Sequence, residues 1–155
     1  MMDRLFLTLD EVAQLTCIDR DGRNGGILDD NVILLAQLSL LKPLLGEFYR
    51  ELERGRYPAF VAGYLKLPLA LWVKSIIMRN SMVSTGGMGV VRQSAPNLAA
   101  AGDSDMAQAV MVLRSQARVL MENALDHLRR NAALYPEHEP LHRRRLRRIM
   151  GGMIL

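Results

Sequence analysis

Met106, Val110, Leu113, Ala117, Leu120, Ala124 and Leu128 recur at three- and four-residue steps along the second half of the chain. That spacing places all of them on one stripe of an α-helix, with the stripe turned toward a core. The helix so defined runs from about Asp105 to Leu134, is capped by Asp103 or Ser104, and would span roughly 45 Å at about 1.5 Å per residue. Arg118/Glu122 and Asp126/Arg130 stand four residues apart and are expected as ion pairs on its wet side. Tyr135-Pro136 ends it. In a chain of 155 residues an element this long dictates helix-on-helix packing. Composition points the same way: aromatic residues are only 5%, while Leu, Ala, Val and Met abound.

The rest of the chain is punctuated by caps, glycines and prolines. Thr8-Leu9-Asp10-Glu11 has the form of a capping box and predicts a short helix carrying Leu9, Val12 and Leu15 to about Thr16. Asp19–Gly26 is turn chemistry. Asp29 or Asp30 then caps a helix through Val32–Leu41 that is apolar on nearly all sides. Pro43 suits the first turn of a further helix, Pro43–Arg54, or a kink between two collinear ones. Beyond the break at Gly55-Arg56-Tyr57-Pro58, a helical stretch from about Pro58 to Asn80 must be kinked or restarted by Pro68. Leu69, Leu71, Trp72, Val73, Ile76 and Ile77 surround that helix with apolar surface, so it is expected to be the buried central element. Ser84–Gly102 has no helical period and holds a β-prone patch at Gly89–Gln93, which predicts a hairpin or protruding arm. The fold expected is all-α: a small helical bundle with a long central loop or β-hairpin arm and an extended C-terminal tail. Its two parts are a helical domain over 1–136, with the arm at 83–102, and a tail over 137–155.

Charge is unevenly placed. The chain carries a formal +4, and the segment from Glu137 onward, with five Arg and two Glu, supplies +3 of it. The body is therefore nearly neutral. The single Cys17 excludes an intrachain disulfide framework and a cysteine-rich zinc site. The N-terminus lacks the apolar run of a signal peptide, and no apolar stretch approaches the ~20 residues of a membrane span, so a soluble, non-secreted chain is expected.

Three motifs resemble chemistry and fall short of it. His138-Glu139-Pro140-Leu141-His142 is literally H-E-x-x-H, which on a helix presents two imidazoles to zinc. Pro140 sits between the two histidines, however, and breaks the helix the motif requires. Asp19–Asp30 resembles a calcium loop, but Arg23 stands at a ligand position and Asn24 where Gly is required. Thr85-Gly86-Gly87-Met88-Gly89 lacks the Gly-Lys-Ser/Thr end of a phosphate loop. Cys17 has only scattered histidines as partners, and the carboxylates are spread over caps and wet faces. No catalytic, cofactor or metal site is expected, and the chain reads as a non-enzyme.

The strongest charge feature is Arg143-Arg144-Arg145-Leu146-Arg147-Arg148, followed by Ile149, Met150, Met153, Ile154 and Leu155. A basic run ending in an apolar hook suits a peptide docking into another protein's groove. It also suits phosphate contact, although interleaved aromatics are missing.

Several segments in order resemble a known family. They are Leu7–Val12, the Asp-capped helix with Ala36-Gln37, Lys42-Pro43-Leu44-Leu45-Gly46-Glu47-Phe48-Tyr49-Arg50-Glu51-Leu52, the apolar helix with Trp72, the Thr85…Gly89-Val90-Val91-Arg92 segment, and the long helix ending at Tyr135-Pro136. Together, over about 1–136, they look like the head–tail adaptor (connector) proteins of tailed bacteriophages, including Bacteroides-type phages. The resemblance implies a structural virion protein, made in the host bacterial cytoplasm. It would form a homo-oligomeric, dodecameric ring beneath the portal protein and carry a tail-side connector or tail terminator below. DNA would pass through the channel without sequence-specific binding, and no membrane would be involved. It assigns portal docking to the tail (Arg143, Arg144, Arg145, Arg147, Arg148, Ile149, Met150, Met153, Ile154, Leu155). Inter-subunit or lumen contact falls to Thr85, Gly89, Val90, Val91, Arg92 and Gln93. The alternative expectation is a small nucleic-acid-binding protein, for packaging or regulation, using the Arg-rich tail.

Overall fold

Thr8 opens the first helix as the capping box predicts. Its Oγ1 accepts from the Glu11 amide at 3.2 Å, and the Glu11 carboxylate accepts from the Thr8 amide at 3.0 Å. The helix α1, Leu9–Thr16, ends at Cys17 in the left-handed region with φ 53°. These contacts belong to a computed structural model that describes residues 4–17, 28–81, 84–86, 89–91 and 103–140, in which the chain is mostly helical.

Asp29 caps α2, Asp30–Ala36, with its Oδ1 accepting from the Val32 amide at 2.8 Å. The chain then stays helical through a π turn, Gln37–Leu41, into α3, Lys42–Leu45, and the Lys42 amide donates to the Gln37 carbonyl five residues back. Pro43 supplies the reason. A proline ring has no N–H to give and crowds the carbonyl of the preceding turn. Widening that turn accommodates the ring without ending the helix. Gly46, at φ 58° and ψ −130°, makes the actual break, so the helix expected over Pro43–Arg54 is instead α3 followed by α4, Glu47–Glu53.

The same device recurs at Pro68. A single turn, α5 (Pro58–Phe60), leads through a π turn, Val61–Leu65, into α6, Lys66–Ser81, with the Lys66 amide donating to Val61. Pro68 stands in the first turn of α6 and the helical path is unbroken. The resulting helix Pro58–Asn80 has 23 residues and holds an 18-residue window of mean hydropathy 1.5, long and apolar enough to cross a membrane, which corrects the expectation that no stretch approaches that length. Within the fold 56% of its apolar window is buried.

What buries it is α7, Asp103–Arg130, together with α1 and α2. Leu69, Trp72, Val73, Ile76 and Ile77 of α6 are core residues as expected, while Leu71 is half-buried. On α7, Val110, Ala117, Ala124 and Leu128 are buried, and Met121, absent from the predicted stripe, is fully buried among them. The helix stops short of Leu134 because the Asn131 side chain donates to the His127 carbonyl at 2.9 Å and residues 131–134 turn away. The expected wet-side pairs also differ: Asp126 pairs with Arg129, and Arg118 lies over the ring of Trp72. Between α6 and α7, strands β1 (Ser84–Gly86) and β2 (Gly89–Val91) pair antiparallel with Ser84 opposite Val91.

One polar side chain ties the N-terminal segment to this core. Gln37 is fully buried; its Oε1 accepts from the Phe6 amide at 2.7 Å, and its Nε2 donates to the Arg4 carbonyl and the Tyr49 hydroxyl, both at 3.1 Å. Replacing it strands buried polar groups on two neighbouring segments. Gln37→Leu is expected to lower unfolding free energy by about 2–4 kcal/mol, and Tyr49→Phe by about 1 kcal/mol, as measured by urea denaturation. Equal stability of Gln37→Leu and wild type would contradict this account.

Candidate functional site

The residues singled out from the sequence fall unevenly on the structure. Thr85, Gly89, Val90 and Val91 lie in the two-stranded ladder, where Thr85 stands opposite Val90. Arg92 and Gln93 lie outside the described residues, as do Arg143, Arg144, Arg145, Arg147, Arg148, Ile149, Met150, Met153, Ile154 and Leu155. The Asp19–Asp30 loop is described only from residue 28. Of the H-E-x-x-H motif, His138 sits in a non-helical segment with its ring edge-on to Phe48 at 5.6 Å, so the two-histidine helical face does not form; His142 lies outside the described residues. Among the described residues no group of three or more His, Cys, Asp or Glu is arranged to hold a metal ion.

His138 belongs instead to an aromatic cluster that fastens residues 131–140 to the rest of the chain. Phe48 meets Tyr57, Phe60 and Tyr135 at 5.4–6.0 Å. His127 stacks on Tyr64 at 4.3 Å and bridges two phenols, with Nδ1 3.0 Å from the Tyr64 hydroxyl and Nε2 3.2 Å from that of Tyr135. At the rim, the Tyr57 hydroxyl donates to Glu137 at 2.6 Å, and Arg56 spans Glu51 and Glu137 at 2.7 and 2.6 Å. The Tyr57 hydrogen bond, then Arg56, holds the Glu137 carboxyl below its ordinary range, and the same bond raises the Tyr57 phenol. The polar groups of Tyr57, Arg56, Glu51 and Glu137 at the rim, and of His127 and its two phenols, satisfy one another, as a fastening does.

A cleft of about 400 Å³ opens beside α1, lined by Arg4, Glu11, Arg56, Lys66 and the backbone of Leu5–Thr8. Of its cations, Arg56 and Lys66 form ion pairs. Lys66 pairs with Glu11 and, with the Thr8 amide, lowers the Glu11 carboxyl.

A cluster of three arginines without carboxylate partners among the described residues lies around Trp72. The indole Nε1 donates to Ser39 Oγ at 3.0 Å, which fixes the ring as the floor between the α2–α3 wall and α7. Arg114 and Arg118 place their guanidiniums 5.0 and 5.7 Å from the ring centre. Arg114 also donates to Ser75 Oγ at 3.3 Å. Its guanidinium is pushed below its ordinary range by burial first, then by the like charges of Arg79 and Arg118. Two cavities meet at Ser39 and Trp72. One, of about 340 Å³, is lined by Pro43, Leu44, Met121 and Leu125; the other, of about 480 Å³, by Leu35, Ile76, Arg79 and Arg114.

The outer face of α7 completes the surface features. Met111 is 71% exposed and Val119 61%, with Val112 beside them, and Leu71 and Leu120 floor a shallow depression next to Val119. Neither the arginine group nor this outer face was singled out from the sequence. The available signal for the first was Arg114 and Arg118 at four-residue spacing, and for the second, apolar residues on the face opposite the core stripe.

The Glu11 carboxyl sets a pH dependence. Its folded value lies below the ordinary 4.5, so its contribution to stability is fully present above 4.5 and is lost as pH falls through the depressed folded value. Glu11→Gln keeps the cap and removes the ion pair. Thermal unfolding should show the variant less stable than wild type at neutral pH, with the gap closing below 4.5. A gap that widens on acidification would refute it.

Compared with known proteins, residues 35–145 match the model of a family described as "Family of unknown function (DUF6712)". The match leaves out the capping-box segment and takes in Arg143–Arg145. No curated protein and no solved structure matches the chain.

Proposed function

The chain belongs to this family of unknown function, which supplies no activity, and from that premise we propose that it is a structural assembly subunit, a head–tail adaptor of a tailed bacteriophage. In this reading it forms a ring under the portal protein, extends the DNA channel and joins the capsid vertex to the tail. The observation that carries it is the outer face of α7. Met111, Val112 and Val119 stand exposed on a long helix whose opposite stripe already fills the core. Large apolar side chains exposed along the face of a helix opposite its core stripe suit a protein–protein contact surface. The ordered segments from Leu7 to Tyr135-Pro136 that resemble adaptors supply the kind of assembly.

The other parts have roles in the same scheme. The ladder formed by Ser84–Gly86 and Gly89–Val91 has outer strand edges that can pair with a neighbouring chain. With Thr85, Gly89, Val90, Val91, Arg92 and Gln93 it forms the arm toward a neighbour or the lumen. The tail from Arg143 to Leu155 docks on the portal through its arginines and apolar end. A nearly neutral body lets DNA pass without holding it. The bundle-and-arm architecture, dodecameric stoichiometry and location at the virion's head–tail interface all belong to this proposal.

Native mass spectrometry tests the ring directly. The wild-type chain should assemble into a closed multimer, and Val119→Glu should shift it to monomers with helicity unchanged by circular dichroism. Deletion of residues 141–155 should abolish docking on a candidate portal protein while assembly persists. A stable monomer that ignores portal and shifts DNA through physiological salt would sink the adaptor reading and favour the nucleic-acid-binding alternative.

A further inference from the structure

We infer that the groove over Trp72 is a docking site for an acidic, amphipathic helix of a partner protein. Arg79, Arg114 and Arg118 receive its carboxylates, and the apolar walls receive its anchors.

The charge arrangement argues first. Among the described residues Arg50, Arg54, Arg56, Arg129 and Lys66 have carboxylate partners, whereas Arg4, Lys42, Lys74 and Arg130 form no ion pair and are not gathered into one group. Among the same residues Arg79, Arg114 and Arg118 pair with no carboxylate, although they crowd one another enough to depress Arg114. Like charges gathered and partly desolvated without a counter-ion are unfavourable. An incoming carboxylate relieves that repulsion and accepts two parallel N–H bonds from one guanidinium. Glu122, one turn beyond Arg118, lines the same cavity without closing an ion pair with it, so the guanidiniums stay available.

Shape argues second. Arg114 and Arg118 are one helical turn apart, about 6 Å along α7. Carboxylates at i and i+4 on an apposed helix have the same spacing. From Arg114 to Leu125 the groove wall runs about 17 Å, enough for three turns. Leu35, 53% exposed, stands at one end, and Leu44 and Leu125 line the other. Such walls suit leucine-sized anchors on the helix face that bears the acids. They offer nothing to a sugar–phosphate backbone. Trp72 is 8% exposed and roofed by two guanidiniums, so it cannot stack a base. The groove uses neither Val112 nor Val119, and its occupancy is independent of ring closure.

The full chain can be titrated, by fluorescence anisotropy, into a fluorescein-labelled helical peptide with leucines on one face and glutamates one turn apart beside them. A peptide with lysine replacing glutamate and a single-stranded oligonucleotide serve as comparisons. The glutamate peptide should bind saturably, the lysine peptide at least about tenfold more weakly. R114E/R118E should cost at least about tenfold, R114K/R118K should retain most of the binding, and Val119→Glu should leave it unchanged. If R114E/R118E loses helicity, R79E/R118E replaces it, both sites being exposed. Equal binding of both peptides, binding indifferent to the arginines, or no peptide binding overturns the proposal. Oligonucleotide binding that the arginine variants abolish would instead make the groove a nucleic-acid site. Loss of multimers in those variants without peptide binding would make a second copy its occupant. Ring assembly of the wild-type chain, read by mass, separates failure of the groove from failure of the adaptor reading.

Discussion

Enclosure of α6 is the constraint on which the rest of the structure depends. Its residues are apolar around most of the helix, so a single packing partner cannot remove them from water. The main contact is with α7, and α1 and α2 close the remaining sides. α1 and α7 each present one apolar stripe to the core and keep the opposite face in solvent. On α7 the buried stripe sets Met121 between the small residues Ala117 and Ala124.

The π turns follow from the same enclosure. Prolines at 43 and 68 would ordinarily end helices in the middle of the core, exposing unpaired backbone groups there. Widening the preceding turn keeps the hydrogen-bonded path continuous and the apolar faces in register. The first of these turns also carries Gln37, whose side chain is the polar link between the N-terminal segment and α4. A buried amide is acceptable there because its oxygen and its nitrogen both find partners. The electrostatic pattern divides likewise: Glu11 with Lys66, and Arg56 with Glu51 and Glu137, form ion pairs, and the crowded arginines beside Trp72 form none among the described residues. That difference separates fastening from docking surface.

Local chemistry was legible wherever it was decided within a few residues. Thr8 with Glu11, and Asp29 with Val32, are caps whose partners lie one turn away, so composition at those positions was enough. The apolar wrap of α6 was legible for the same reason. The π turns were not: a proline announces an obstacle, but whether the helix breaks or widens depends on whether the surrounding core needs continuity. Met121 escaped the predicted stripe because an ideal seven-residue step passes between Ala117 and Ala124, and only the position of α6 shows which neighbour is covered. Arg118 was expected beside Glu122, four residues on, and lies over Trp72 because an aromatic face from another helix outcompetes an exposed ion pair.

Periodicity, caps and composition along the chain were enough for the helical class, the capped starts of α1 and α2, the burial of α6 and the uneven placement of charge. Periodicity and caps act over one or two turns. Which charges find a partner was settled by the packing of the helices. Arg79, Arg114 and Arg118 are distant or unremarkable along the chain and become one cationic group because α6 and α7 cross at Trp72. Charge interactions act through space, and the spatial neighbours of a guanidinium exist only once the helices have packed.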